Sequence, residues 1–368
     1  MASPTLRSLA RTLGLSHATV SSALNGRGRV RPETVQSVRA LAEAMGYRSN
    51  PLTSAVMSEV RRSRSHTFRG IVATIEIGEP DRPGCTAHYH AEVVRGVAER
   101  GAGLGFKVES FVLGPQGVPV HRLDAILRAR GIRGVVLLPA WNEPDVSRLD
   151  WNHYLGVYTD YVIERPALPS VYPDHYRAMM MVLQHLRSLG YRRPGLFVVP
   201  HQDERIQYRW EAAFLAFAAN SGGLSRVIPR LKSCGLNREE FIQWFREYEP
   251  DVVLGHHTEA IAWMEEAGAV LPATHGFVCL NLLMKQVPCA GLDLQPALVG
   301  ALALEQLVAQ LHRNEFGAAP RVASAISVPP QWVNGPTVRR LDRPERIADP
   351  AVLAFPDPRT HRPLARAN

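Results

Sequence analysis

The sequence predicts an all-α N-terminal head joined to a larger α/β body built on parallel sheets, and three observations carry that prediction. Apolar residues recur at helical spacing in three short stretches before Pro51. Beyond Gly70, short β-rich runs alternate with helical ones, the pattern of parallel strands connected through helices. The charge divides at the same place: Met1 to Gly70 holds eleven arginines, no lysine and three glutamates, a net +8 that equals the net charge of all 368 residues. The remaining 298 residues, with 31 basic and 31 acidic side chains, are neutral.

In the head, Leu6, Leu9, Ala10 and Leu13 fall on one helical face, and Gly14, Leu15 and Ser16 break that helix. Ser16 is a good N-cap for a second helix, whose inner stripe is Val20, Ala23 and Leu24 and whose outer face shows His17, Ala18, Thr19, Ser21 and Ser22. A third helix opens at Pro32, buries Val35, Val38, Leu41, Ala42 and Met45, and ends at Gly46. Two short helices joined by a three-residue turn containing glycine form the helix-turn-helix, in which the second helix enters the DNA major groove. A helical bundle without a nucleic-acid partner, or a merely solvated basic face, fits the same pattern. The arginines on this segment favour phosphate contacts, which supply affinity while the second helix supplies sequence choice.

From Ser58 to Arg69 the chain is polar and rich in Ser and Arg, a linker that orders only on DNA. Strands are expected at Ile71–Ile77, Phe106–Leu113, Val135–Leu138, Leu155–Tyr158, Leu196–Val199, Val252–Leu254 and Phe277–Leu280. Helices are expected at Tyr89–Gly101, Val120–Ala129, Tyr176–Leu189, Arg205–Asn220, Arg238–Glu247, Glu259–Glu266 and Pro296–Asn314. Hydrophobic residues at 46% and charged residues at 21% permit a sizeable core, and no apolar run is long enough to span a bilayer. No apolar block follows a basic start, so a cytoplasmic location is expected. Cys85, Cys234, Cys279 and Cys289 lack paired spacing and read as reduced thiols.

Thr5-Leu6-Arg7, Leu9-Ala10-Arg11, the run Ser16 to Asn25 with Gly26, Val30, Pro32-Glu33-Thr34, Gly46-Tyr47-Arg48 and Asn50-Pro51-Leu52 together resemble the N-terminal signature of the lactose-repressor (LacI/GalR) family of bacterial transcription regulators. The resemblance implies a homodimer on a pseudo-palindromic operator, with His17, Ala18 and Ser22 facing bases. Thr5, Ser16, Thr19, Ser21, Asn25, Arg29 and Asn50 are its further DNA contacts. Two departures stand out. The family usually has Arg where this chain has Ser22, so the operator should differ. After Asn50-Pro51-Leu52 the family wedges a Leu into the minor groove where this chain has Val56, which implies a weaker kink unless Met57 helps.

Tyr89 to Glu92 with Arg95-Gly96, Val171 to Asp174, Leu186 to Arg193, Pro250-Asp251, Gly291 to Gly300 and Trp332-Val333 extend the resemblance more weakly to Arg339. The fold class it implies is an all-α helix-turn-helix domain plus an α/β core of two doubly wound parallel-sheet lobes like those of periplasmic binding proteins. The head is then residues 1–48, the hinge and linker 49–68, and the two-lobed body 69–338, with an extended tail at 339–368. The N-lobe takes 69–163 and 293–322, and the C-lobe 164–292 and 323–338, with crossings near Ile163, Leu292 and Val322. The helices Tyr89–Gly101 and Pro296–Asn314 are the family's dimer surfaces. The tail lacks apolar heptads, so a tetramerising helix is not expected.

Ligands of open parallel sheets bind beyond the carboxyl ends of strands, so polar residues there are the effector candidates. Tyr89, His90, Asp174, Arg209, Trp210, His256 and Asn281 are chosen. Asp174 matches the family's effector-contacting Asp, with His175 in place of the usual Asn, and is equally a helix N-cap. Arg209 or Trp210 occupies the family's clamp position, the first offering a planar fork and the second a stacking face, while Trp210 could equally be core. Asn281 replaces the family's cleft Asp. His256-His257-Thr258-Glu259, with His88 and His90, could be read as a metal site, but adjacent histidines are wrongly spaced for one ion. No metal or cofactor is expected, and the effector is small and sugar-like. The leading reading is a repressor. The alternative is a solute-binding protein or enzyme with a basic arm, against which stands the lack of G-x-S-x-G, P-loop and H-E-x-x-H motifs.

Overall fold

The computed structural model describes residues 6–25, 30–45, 69–79, 81–84, 86–114, 117–142, 146, 149–161, 167–220, 228–231, 235–316 and 324–339. In the head, α1 (Leu6–Leu13), α2 (His17–Asn25) and α3 (Pro32–Ala44) share a core of Leu9, Ala10, Val20, Ala23, Val38 and Ala42. Gly14 takes φ +63° at the turn, a left-handed conformation that glycine adopts without steric cost. Ser16 caps α2 as its sequence position predicts: its Oγ accepts the Thr19 backbone N–H at 3.0 Å. Gly46, the hinge, the linker from Ser58 to Phe68 and the tail beyond Arg339 lie outside the described residues.

The body contains two sheets. The first is built from β1 (Gly70–Ile77), β2 (Phe106–Leu113), β3 (Gly134–Leu137), β4 (Leu155–Tyr158), β5 (Ser170–Pro173) and β10 (Ala325–Val328), all parallel, in the order β10-β5-β4-β3-β1-β2. Its helices are α4 (Thr86–Leu104), α5 (Val120–Ala129) and α11 (Pro296–Arg313). The second runs β11-β9-β8-β7-β6, with β6 (Pro194–Phe197), β7 (Val252–Gly255), β8 (Gly276–Cys279) and β9 (Ala290–Asp293) parallel and β11 (Gln331–Val333) antiparallel. Around it lie α6 (His175–Ser188), α7 (Pro200–Glu204), α8 (Arg209–Asn220), α9 (Arg238–Tyr248) and α10 (Glu259–Glu266). β3, β4, β6, β7 and β8 are buried at every residue, as strands covered by helices on both faces must be.

Sheet membership corrects the predicted lobe boundaries. β5 belongs to the first sheet, pairing with β4 and β10, so the chain first crosses at Asp174 and not near Ile163. The second crossing follows β9, just past Leu292, and the third falls between β10 and β11, later than Val322. The helix expected over Arg205–Asn220 begins later, at Arg209, and is preceded by a separate short helix, α7, that was not expected. Gln207 and Tyr208 take φ of 58° and 56° between them, and the buried Asp203 carboxylate receives the Trp210 and Glu211 backbone N–H groups at 3.0 and 3.2 Å, starting α8 afresh. β5, β9, β10 and β11 were not expected at all. Cys279 and Cys289 are buried free thiols, and Cys85 and Cys234 lie outside the described residues. Among the described residues no helix is long and apolar enough to cross a membrane.

The first lobe is braced by α4 against α11, which meet backbone to backbone. A Cβ on Gly96 would stand 1.9 Å from the Ala297 carbonyl oxygen, and one on Gly300 would stand 2.1 Å from that of Val93. Only glycine permits this approach, and Arg100 with Glu305 at 2.6 Å closes its outer edge. Gly300→Leu must separate the helices, and overpacking of this kind costs about 1–3 kcal/mol or more. Urea denaturation should show a lower midpoint at unchanged slope; an unaltered midpoint would mean the helices pack more loosely than this.

Candidate functional site

The carboxyl ends of both sheets face a common cleft of about 760 Å³, including its open mouth. The first lobe supplies Ala140 and Trp141 after β3, Thr159 and Asp160 after β4, and Tyr89 and His90 from α4. The second supplies His175 at the start of α6, Gln202 and Arg205 from α7 and its end, Trp210 from α8, His256 after β7 and Asn281 after β8. Ligand sites of open α/β sheets form in this place because the strands end there and the loops diverge.

Several contacts bridge the lobes, two of them at Asp160 and Trp141. The Asp160 carboxylate pairs with the Arg205 guanidinium, which also stands 6.0 Å from the Trp141 ring. His201 Nε2 donates to the Trp141 carbonyl oxygen at 2.9 Å, and the two rings meet edge to face at 4.7 Å. Trp141 is itself placed by Glu79, whose carboxylate accepts the backbone N–H groups of Trp141 and Asn142 at 2.5 and 2.7 Å. Burial pushes the Asp160 carboxyl above its usual range, and Arg205 draws it back only in part. A second ion pair, Arg82 with Glu76, borders the cleft, and His90 Nδ1 lies 3.2 Å from the same carboxylate. The hydrogen bond to His90, with that to Arg82, holds the Glu76 carboxyl down at about 2 against the pull of burial.

Five of the seven effector candidates line the cleft: Tyr89, His90, Trp210, His256 and Asn281. Trp210 is 1% exposed and packs edge to face on His175 at 4.8 Å. Of the two clamp candidates, Trp210 lines the cleft and Arg209 does not. Arg209 turns away from the cleft, its guanidinium 4.5 Å over the Tyr161 ring and 5.9 Å over Tyr172. Asp174 is likewise outside the lining: its carboxylate accepts the Arg177 backbone N–H at 3.0 Å and caps α6, while its neighbour His175 enters the cleft and pairs with the Tyr161 hydroxyl at 2.7 Å. Among the described residues no three His, Cys, Asp or Glu side chains converge on a possible metal position. Sequence reasoning missed Trp141, Asp160, Gln202 and Arg205. The rule that chose His256 and Asn281, polar residues just after a parallel strand, would have found Asp160; Gln202 lies on the short helix that was not expected, and Arg205, expected to open a long helix, instead ends that short one.

In the head, Ser16 spends its hydroxyl on the cap and on Thr19 Oγ1 at 2.8 Å, and Thr19 and Ser22 are half-buried. Thr5, Arg29, Asn50 and Val56 lie outside the described residues, as do the side chains of His17, Ala18, Ser21 and Asn25.

A helix-turn-helix head thus precedes a body of two doubly wound lobes with a cleft between them. Residues 5–50 match the model of bacterial regulatory proteins of the lacI family. The maltose regulon regulatory protein MalI of Vibrio furnissii is 33% identical over 131 residues, which are 36% of this chain and 85% of that protein. An HTH-type transcriptional regulator from the aml 5′ region of Streptomyces limosus is 32% identical over 203 residues, 54% of this chain and 53% of its own length. The chain spans little more than half the length of that relative. Among solved structures, the complex of transcriptional regulator CelR with cellobiose aligns over 91% of this chain and 99% of that one, with a TM-score of 0.53 at 19% identity. The chain belongs to the lacI family.

His256 and His175 link the cleft to folding. Burial holds His256 down at about 3 and His175 well below its ordinary value. Both imidazoles are therefore neutral when folded and protonate near 6.5 when unfolded, so their contribution is complete above pH 6.5 and is lost as pH falls toward 3. Stability measured by urea denaturation should fall from pH 7 to pH 5, and His256→Asn should flatten part of that fall. An identical slope in the variant would contradict the assignment.

Proposed function

We propose that this protein is a sequence-specific DNA-binding transcriptional regulator, a cytoplasmic repressor acting as a homodimer, whose operator affinity is set by a small sugar-like effector between its lobes. The observation that carries the reading is one chain joining an arginine-rich head, with a capped second helix, to a neutral body whose cleft is lined from both sheets. Arginines neutralise phosphates, and α2 reads bases through His17, Ala18 and Ser22, with Thr5, Ser16, Thr19, Ser21, Asn25, Arg29, Asn50 and Val56 as supporting contacts. Tyr89, His90, Trp210, His256 and Asn281 contact the effector, joined by Arg205 and Asp160. The names of similar proteins, among them maltose regulators and a cellobiose complex, support a saccharide. The effector acts by preferring one arrangement of the lobes, and DNA must then weaken its binding by the same factor.

A solute-binding protein or enzyme on the same core has no use for the +8 head. Gel-shift titration on DNA upstream of the protein's own gene, at several salt concentrations, separates the readings. A regulator gives a specific band whose log affinity falls steeply with log salt, by about 0.9 per phosphate contacted. Ser22→Ala should cut discrimination between operator and random DNA by about 1–3 kcal/mol and leave the salt slope unchanged. Absence of any specific band at moderate ionic strength would sink the proposal.

A further inference from the structure

The second lobe's half of the cleft holds two polar atoms with no hydrogen-bond partner among the described residues, Gln202 Oε1 and His256 Nδ1. Both side chains are deeply buried, at 8% and 7% exposure, and both line the cleft. The orientation of Gln202 is set by its amide nitrogen, 3.3 Å from His257 Nε2, which leaves its carbonyl oxygen to accept. Buried groups of this kind are matched in nearly all folded proteins, so a lone acceptor beside a cleft marks where a ligand donates. His256 sits 6.0 Å from the Trp210 ring, and Trp141, from the other lobe, is a second aromatic side chain of the lining.

Charge narrows the ligand further. Arg82 and Arg205 are the guanidiniums in the cleft lining among the described residues, and each is already held by a carboxylate, Glu76 and Asp160. Burial keeps both His175 and His256 neutral, and the third histidine of the lining, His90, has its Nδ1 3.2 Å from the Glu76 carboxylate. An anionic ligand would meet no unspent positive charge and would lose its hydration on entry. A cationic one would find both carboxylates occupied.

We propose that the cleft selects an uncharged polyhydroxylated ligand, one hydroxyl donating to Gln202 Oε1 and another meeting His256 Nδ1, and rejects the matching sugar acids and sugar phosphates. A hydroxyl serves either tautomer of the imidazole because it both donates and accepts. This selectivity rests on the reading that the cleft holds the effector.

Calorimetric titration of the full-length protein with neutral disaccharides (cellobiose, maltose, sucrose), their aldonic acids where these exist, glucose 6-phosphate and adenosine tests it, with each compound also added to the operator gel shift. At least one neutral disaccharide should bind, its acid should bind at least tenfold more weakly, and Gln202→Ala and His256→Ala should each weaken the neutral ligand at least tenfold. The panel on the unaltered protein stands even if a variant fails to fold. An acid, a phosphate ester or the nucleoside binding as tightly as any disaccharide and shifting the operator equilibrium overturns the selectivity while leaving the cleft reading intact. Neutral binding that both folded variants preserve overturns it too. Binding by no compound, with operator affinity unmoved, overturns both.

Discussion

Asp160 and Arg205 reach the middle of the cleft from different lobes, one just past a strand of the first sheet and the other just past a short helix of the second. Neither lobe completes this pair alone. Two charges in a low-dielectric gap attract strongly, yet each has given up its hydration, and the two terms nearly cancel. A pair balanced in this way ties the lobes together and releases them at modest cost once water returns. The Trp141–His201 contact stands beside it as a second tie, and Glu79 holds Trp141 in place through two backbone N–H groups. The Tyr161–His175 hydrogen bond and the Arg209 guanidinium over the Tyr161 and Tyr172 rings add further ties, so that several of the contacts between the lobes lie in or beside the space a ligand would enter. Each lobe in contrast is rigid, with strands buried on both faces and, in the first, α4 and α11 locked at Gly96 and Gly300.

That division of labour matches the division of charge. The head carries the whole net positive charge, and its three helices enclose a small separate core. The body is electrically balanced, so its response to a ligand is governed by local pairs and hydrogen bonds and not by a long-range field. Within the cleft His175 and His256 act as neutral hydrogen-bonding groups, kept so by burial.

The head and the alternating body were legible in the sequence because their signals are local. A serine before a helix caps it wherever it stands, and Val120–Ala129 and Glu259–Glu266 run between the residues that their periodicity predicts. Sheet membership was not legible. Ser170–Pro173 and Ala325–Val328 are four-residue strands that pair with each other across more than a hundred and fifty residues of chain, and nothing local announces that partner. Misplacing them moved two of the three lobe crossings. The cleft was partly legible: residues following recognised strands, His256 and Asn281, were found. Gln202 and Arg205 were not, since they sit on and at the end of the unexpected short helix α7, which the buried Asp203 carboxylate sets off by capping the next helix. Asp174 takes the helix-cap role that its position offered, and its neighbour His175 lines the cleft.

The central claim is that the Asp160–Arg205 pair sets how the two lobes stand to one another. Spin labels at the exposed positions Val112 and Leu215, one on each lobe, allow their separation to be measured by pulsed electron resonance in the full-length protein. With Asp160→Asn the distribution of separations should broaden or lengthen relative to the unaltered pair. An identical distribution in the two proteins would show that the lobes are held by something else.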